Sequence, residues 1–168
     1  MDKNTFTKLS YGMYAICTKD NERFCGCIAN SAMQITSKPA TIAVSINHDN
    51  YTNEQIKKYK EFSLCVLGEK INPLIIGTFG FRSARDFDKF KNTEYFIKNG
   101  LPVCKQACAY FICKLIDFSE TKTHTIFIAQ VCECEILKDQ TPMTYRYYHN
   151  VIKRKSPKNA PTYISPEI

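Results

Sequence analysis

The sequence predicts a mainly β domain, a closed or nearly closed antiparallel barrel with a few short helices. Short runs that alternate apolar and polar residues recur along the chain, and Thr41–Asn47 is the clearest of them. Two longer strand-like runs, 107–117 and 125–137, flank the polar turn 118–123. Because the chain has 168 residues, one domain spanning residues 1–168 can bury a core of its own. Six or more strands with short connections are typical of such a barrel.

Further strands are predicted in the first half of the chain. Tyr11–Thr18 is predicted to be a strand that turns at 19–22 and pairs with Arg23–Ala29 as a hairpin. Ala29–Thr36 joins a polar cluster to a strand-like hydrophobic run, and Phe62–Leu67 is a further strand.

Capping residues predict three helix starts, because Ser, Thr and Asn accept hydrogen bonds from free amides of a first turn. The predicted starts are Thr52 with Gln55, in a helix to about Lys60; Asn72 with Pro73, in a helix ending near Gly77–Gly80; and Ser83 with Asp86, before the segment 86–90. Towards the C-terminus, 140–149 is aromatic and polar, and 153–168 is predicted to be an extended, proline-containing arm.

The nine cysteines are predicted to be reduced structural residues. Their number is odd, they lie mostly in strand-like runs, and no CxxC pair is present. A redox thiol and a metal site are the alternatives. The three histidines show no metal-ligand spacing, so no metal site is predicted.

The formal net charge of +7 is compatible with nucleic acid, an acidic partner or an anionic cofactor. One compact basic cluster is Lys153-Arg154-Lys155, but no nucleic-acid-binding motif accompanies it. We therefore expect no nucleic-acid partner.

The N-terminus lacks the layout of a signal peptide, and no run reaches the length of about 18 residues that a membrane helix needs. These features predict a cytoplasmic protein without a membrane partner.

Two segments are candidates for binding a phosphate. Asn50 and Thr52 lie at one predicted helix start and Ser83–Asp86 at another, where free amides and the helix dipole favour an anion. Nearby positive charges are Arg82, Arg85 and Lys89. The alternative is ordinary helix capping with solvated cations.

A third polar segment suits a flat heterocycle. Asn30, Ser31, Gln34 and Thr36 follow a strand together, and their side chains and backbone can match the alternating donors and acceptors of a uracil-like edge. An ordinary turn is equally compatible with these residues. No Gly-x-Gly-x-x-Gly motif or P-loop is present, so a doubly wound nucleotide fold is not expected.

Six motifs in order resemble the flavin reductase-like family of FMN-binding split β-barrels, which have an antiparallel, Greek-key-like topology. The branch that the chain resembles includes flavoredoxin and the flavin domain of high-molecular-weight rubredoxins. The motifs are LSYGMY (9–14), IANSAMQITSKP (28–39), IAVSIN (42–47), FGFRSARDFDKF (79–90), HTIFIAQV (124–131) and PMTYRYYH (142–149).

The resemblance implies a homodimer with FMN in a groove near the subunit interface. His124 would lie beside the flavin and its reductant, although a structural histidine is the alternative. Tyr148 and His149 would cover the pocket. The implied ring contacts are Asn30, Ser31 and Gln34, and the implied contacts of the ribityl phosphate are Asn47, Asn50, Thr52, Ser83, Arg85 and Lys89.

The implied reaction is hydride transfer from NADH or NADPH to FMN, followed by electron transfer to free flavin or to a redox protein such as a rubredoxin. Two other functions remain open. One is an FMN electron carrier that a partner protein reduces. The other is a non-catalytic binding module that uses the cluster at Lys153.

Overall fold

A computed structural model describes residues 2–154 and 156–163 of the chain. A short 3₁₀ helix, Lys3–Lys8, precedes the first strand. The strands are β1 (Tyr14–Asp20), β2 (Arg23–Ala29), β3 (Ala32–Ser37), β4 (Ala40–Asn47), β5 (Glu61–Val66), β6 (Tyr95–Lys98), β7 (Leu101–Cys104), β8 (Ala109–Glu120) and β9 (His124–Ile136). The helices are α1 (Tyr51–Tyr59), α2 (Pro73–Phe81) and α3 (Tyr145–Asn150).

Seven strands form one antiparallel sheet in the order β2-β1-β5-β8-β9-β4-β3, which confirms the mainly β prediction. Only Asn30 and Ser31 join the two edge strands, β2 and β3, so both edges of the sheet must come together at that end. Two register shifts between β8 and β9 disturb the ladder, and such bulges increase the bend of a strand. The sheet therefore rolls up, with its two edge strands as neighbours.

Apolar residues pack on both faces of the sheet. Ile16 belongs to a cluster with residues of β2, β4, β5, β8 and β9, whereas its neighbours Ala15 and Cys17 belong to a second cluster with α2, β7 and α3. All nine cysteines carry free thiols, and seven of them are buried. Because α2 and α3 belong to the same cluster, both helices pack on the same outer face of the barrel.

Helix α1 begins two residues earlier than the predicted capping box requires, at Tyr51 rather than at Asn53. Asn50 is its cap, since Asn50 Oδ1 accepts a hydrogen bond from the Thr52 amide at 3.2 Å. Thr52 is fully buried in the first turn, so the Thr52–Gln55 capping box is wrong. The predicted start of α2 at Asn72-Pro73 is confirmed, but the helix runs on to Phe81 because Ile75, Ile76 and Phe79 pack in the core.

The helix predicted over 86–90 is wrong, because that segment consists of turns and irregular structure. Ser83 Oγ does accept a hydrogen bond from the Arg85 amide at 3.2 Å, but no helix follows within residues 84–92. Instead, the Lys89 ammonium group donates to the carbonyls of Gly26 and Phe79, at 2.7 and 2.9 Å. These long-range contacts prevail over the local capping signal.

Two elements were not predicted, the β6–β7 hairpin and α3. The hairpin turns at Asn99-Gly100, where both residues have positive φ, +49° and +77°. Asn-Gly between two strands is a strong signal for such a turn, so the sequence did contain the information. Helix α3 is capped by Thr144, whose Oγ1 accepts from the Tyr147 amide at 3.1 Å.

No helix among residues 2–154 and 156–163 is both long and apolar enough to cross a membrane.

Candidate functional site

A cavity of about 1420 Å³ lies between one end of the barrel and the C-terminal segment 156–163. The ends of β2 and β4 and the N-terminus of α1 form one side. The end of α2, helix α3 and the segment 156–163 form the others. This volume exceeds the ~300–1,000 Å³ typical of a pocket for one small molecule.

The N-terminus of α1 and the loop before it form one side of the cavity. Asn47 and Asn50 both line it, and both side chains accept local backbone bonds, from Asp49 and Thr52 respectively. The first amides of a helix lack intrahelical partners and attract negative charge. Thr52 lies just behind, fully buried, and its Oγ1 has no hydrogen-bond partner in the described part of the chain. Thr52 does not line the cavity, and the Thr52 and Asn53 amides already donate to Asn50, so the positive end of the helix dipole is what this side offers to an anion.

Asn30, a predicted ring contact, lies on the barrel side of the cavity, and only 4% of it is exposed. Its Nδ2 donates to Thr162 Oγ1 at 2.8 Å, and its Oδ1 accepts from Ser31 Oγ at 3.0 Å. The Asn30 amide thus faces the cavity and is held by a hydroxyl of the C-terminal segment.

The aromatic side of the cavity is formed by α3. Tyr148 is buried and stacks on Tyr145 with ring centroids 6.1 Å apart, and the His149 ring meets Tyr145 edge-on at 4.4 Å. Burial raises the pKa of Tyr148, which keeps its hydroxyl protonated at neutral pH, although the charge of Arg154 acts in the opposite direction. Tyr148 and His149 both line the cavity, and their covering of a bound flavin stays a prediction.

Of the three predicted phosphate contacts after α2, only Ser83 lines the cavity. Arg85 is turned away: its guanidinium forms an ion pair with Glu54 and lies 4.7 Å from the Tyr51 ring centroid. Arg82, which the sequence offered only as nearby charge, does line the cavity and lies 4.4 Å from the Phe87 ring centroid.

Lys89 does not line the cavity either. The side chain is 3% exposed and bonded to two backbone carbonyls, and burial lowers the pKa of its ammonium group. Its role as a phosphate contact stays a prediction that the position of its side chain does not support.

Three predicted ring contacts lie outside the cavity. Gln34 and Thr36 are exposed on the edge strand β3, where Gln34 Nε2 donates to the Thr36 carbonyl at 3.2 Å. The Ser31 carbonyl accepts from the Ser45 amide at 2.9 Å, and Ser31 is half-buried. Ser31 contacts Asn30 through the hydrogen bond from its hydroxyl, whereas Gln34 and Thr36 do not line the cavity with Asn30 in the same chain.

His124 begins β9 and lies behind the C-terminal segment rather than in the cavity wall. Its Nδ1 is 2.8 Å from Thr123 Oγ1, and its buried Nε2 has no hydrogen-bond partner among the described residues. Burial lowers the pKa of His124, although the backbone of Asn159 acts in the opposite direction. The ring is therefore neutral at pH 7 and adjacent to Asn159, which itself lines the cavity.

Sequence reasoning missed the contribution of the C-terminal segment. The predicted arm folds over the cavity, and its polar and charged residues that line it include Arg154, Ser156, Lys158, Asn159 and Thr162. Ser156 anchors the segment by a hydrogen bond to the Tyr145 hydroxyl. Lys155 and the last five residues of the predicted arm lie outside the described residues. No local pattern indicates such long-range contacts.

The family model for the flavin reductase like domain matches residues 6–154. The chain belongs to the flavin reductase like domain family. That match spans most of the cavity wall, including the α1 side, the end of α2 and helix α3.

Two relatives and one solved structure illustrate this membership. A high molecular weight rubredoxin of Moorella thermoacetica is 42% identical over 97% of this chain and 72% of its own length. A ferric-chelate reductase (NAD(P)H) of Archaeoglobus fulgidus is 39% identical over 97% of this chain and 98% of its own. The solved flavin reductase PheA2 matches with a TM-score of 0.73 at 27% identity, over 84% of this chain and 89% of that one. The likeness confirms the predicted split-barrel fold.

The cavity of this flavin reductase-like domain fits an isoalloxazine ring that carries a phosphate. The positive end of the α1 dipole and Ser83 suit the phosphate, whereas Asn30 and the aromatic side suit a flat ring with polar edges. No group of three or more His, Cys, Asp or Glu among the described residues is arranged to hold a metal ion.

Proposed function

We propose that this chain is an FMN-binding oxidoreductase that passes electrons from NADH or NADPH through bound FMN to free flavin or to a redox protein such as a rubredoxin. The observation that carries the proposal is the cavity itself, with an anion-binding end at α1 and an amide-lined barrel side at Asn30, in a chain of the flavin reductase like domain family. We further propose that the protein is a cytoplasmic homodimer in which residues 1–168 act as a single domain.

FMN supplies the hydride-accepting ring and the relay of electrons when it is bound. The protein binds and orients FMN and excludes water from it. Asn50, Asn47, Ser83 and the positive end of the α1 dipole hold the phosphate, and Asn30 donates to the polar edge of the ring. Tyr148 closes the aromatic side, and the neutral ring of His124 offers its unpartnered Nε2 as a hydrogen-bonding group towards the reductant.

The activities for which two relatives are named support the proposed classes of electron donor and electron acceptor. One relative is a ferric-chelate reductase that uses NAD(P)H, and another is a rubredoxin. A nicotinamide donor and a redox-protein acceptor are therefore proposed for this chain as well.

The homodimer would give β3 a role in the site. Met33 and Ile35 are 69% and 46% exposed on this edge strand, which is costly for apolar side chains in a monomer. In the proposed dimer β3 packs against a second copy, and Ser31, Gln34 and Thr36 contribute to a site at the interface rather than to the cavity of their own chain.

An FMN electron carrier that a partner protein reduces is the second candidate. One observation favours it: the segment 156–163 lies between His124 and the cavity, so a dinucleotide must displace Asn159 to reach that ring.

The deciding experiment is to purify the protein, record its visible spectrum with bound FMN, and add NADH or NADPH under argon. Bleaching of the flavin band within seconds supports the reductase. A yellow protein that stays oxidised favours the carrier, and a colourless protein that takes up no added FMN overturns the proposed function.

A further inference from the structure

The cavity is strongly positive, in a way that one flavin phosphate does not require. Among the described residues that line it are four cationic side chains, Arg82, Arg146, Arg154 and Lys158, and one carboxylate, Asp49. Within the described part of the chain, none of these four cations forms an ion pair with a carboxylate.

The four cations lie on two different sides. Arg82 is next to Ser83 at the end of α2, where the proposed phosphate site of FMN lies. The other three belong to α3 and to the segment that follows it. The volume of about 1420 Å³ leaves room for a second ligand between the two sides.

The basic cluster at 153–155 is divided by the fold. Arg154 lines the cavity, and its charge reaches the buried Tyr148, whereas Lys153 does not line the cavity. The Arg154 carbonyl accepts a hydrogen bond from His149 Nδ1 at 2.8 Å, which holds this residue against α3. Arg154 is thus placed where its side chain can contact a ligand in the cavity.

We propose that Arg146, Arg154 and Lys158 form a second anion subsite, which binds the phosphates of the dinucleotide reductant and selects the dinucleotide that carries a 2′-phosphate, NADPH, over NADH. This inference rests on the proposed function, because it specifies the donor for the same cavity.

The physical reason is the charge that distinguishes the two donors. NADPH differs from NADH by one phosphate monoester, which carries about −1.5 to −2 charges at pH 7. Arginine binds such a group through two parallel N–H bonds, and lysine adds a point charge. A partly enclosed site with unpaired cations therefore gains more from NADPH than from NADH.

The first test compares kcat/KM for NADPH and NADH on the FMN-loaded wild-type protein. We expect a preference for NADPH of about tenfold or more, equivalent to about 1.4 kcal/mol, that shrinks as the salt concentration rises. The double variant Arg154→Gln/Lys158→Gln should lose most of this preference, because its KM should rise more for NADPH than for NADH. Lys153→Gln removes the same charge from the same cluster outside the cavity and should keep the preference.

A binding measurement tests the subsite without turnover. Isothermal titration of the FMN-loaded protein with adenosine 2′,5′-bisphosphate and with adenosine 5′-monophosphate should show tighter binding of the bisphosphate, and the double variant should bind both alike. If the double variant folds poorly, Arg146→Gln provides the same comparison from α3.

Three results would overturn the inference. They are equal use of both donors by the wild type, equal loss of preference in Lys153→Gln, and weaker FMN binding by the double variant with the donor preference intact. If neither donor reduces the flavin, the proposed reductase function fails, and the titration with the two adenosine nucleotides alone decides the subsite.

Discussion

The ammonium group of Lys89 is the buried charge on which the loop after α2 depends. It donates to the Gly26 carbonyl in β2 and to the Phe79 carbonyl in α2. Burial lowers its pKa, because the charged form has lost water without gaining a carboxylate partner among the described residues. Lys89 therefore links β2 to α2 through these two hydrogen bonds.

Replacing Lys89 therefore tests whether this residue stabilises the fold or binds FMN. Lys89→Met leaves two buried carbonyls without donors, and we expect the free energy of unfolding in urea to fall by about 2 kcal/mol. The dissociation constant for FMN, followed by flavin fluorescence, should change little once the protein is folded.

Ser83→Ala is the matched comparison at the cavity wall and should show the reverse pattern, weaker FMN binding with little loss of stability. A Lys89→Met protein of unchanged stability that binds FMN at least tenfold more weakly would restore Lys89 as a phosphate contact.

His124 makes stability depend on pH in a defined direction. An unfolded histidine titrates near pH 6.5, whereas burial lowers the pKa of His124 in the folded chain. Between these two values the unfolded chain binds a proton that the folded chain does not, so stability falls as the pH drops below about 6.5. Above that pH both states are neutral and this contribution vanishes.

We expect Tm to fall less between pH 7.5 and 5.5 in His124→Gln than in the wild type. Thermal unfolding followed by circular dichroism at several pH values measures this difference, and His149→Gln serves as the control for losing a histidine elsewhere at the site. Parallel Tm curves for the wild type and His124→Gln would contradict the assignment.

At the scale of elements, α1 and α2 form a natural pair for comparison. Each has nine residues and an asparagine cap, Asn50 or Asn72, whose Oδ1 accepts a hydrogen bond from the amide two residues later. Only Asn50 lines the cavity. The effect of a helix cap on stability and its effect on FMN binding can therefore be measured separately in the same protein.

Asn50→Ala and Asn72→Ala should each lower the free energy of unfolding by about 1 kcal/mol, the usual cost of a lost cap. Only Asn50→Ala should also weaken FMN binding, because Asn50 and the helix end that it caps are proposed to hold the phosphate. Urea unfolding and FMN titration measure the two effects. Equal FMN affinity in both variants would remove α1 from the proposed phosphate site.

At the scale of the whole molecule, the exposed edge strand β3 bears on assembly. Met33 and Ile35 project from it on one face, and exposed apolar residues on a sheet edge are typical of an interface. We expect the wild type to sediment as a dimer and Met33→Glu/Ile35→Glu to sediment as a monomer, since burying two carboxylates is unfavourable. Leu74→Glu, at a 73% exposed position on α2, should leave the dimer intact. A wild-type monomer, or a dimeric double variant, would contradict the proposed interface.

The sequence by itself determined the strands, the hairpin of β1 and β2, the start of α2 at Pro73 and the family, because these depend on the local period of apolar residues, on local turn and capping chemistry, and on motif order. Its local signals also misled, as with Ser83 and Asp86, and one true signal, Asn99-Gly100, was overlooked. Only the tertiary structure decided which cations face the cavity. Lys89 turns inward to Gly26, 63 residues away, and Asn30 is held by Thr162, 132 residues away. A long flexible side chain can take many directions from the same backbone, so contacts from distant parts of the chain select one of them.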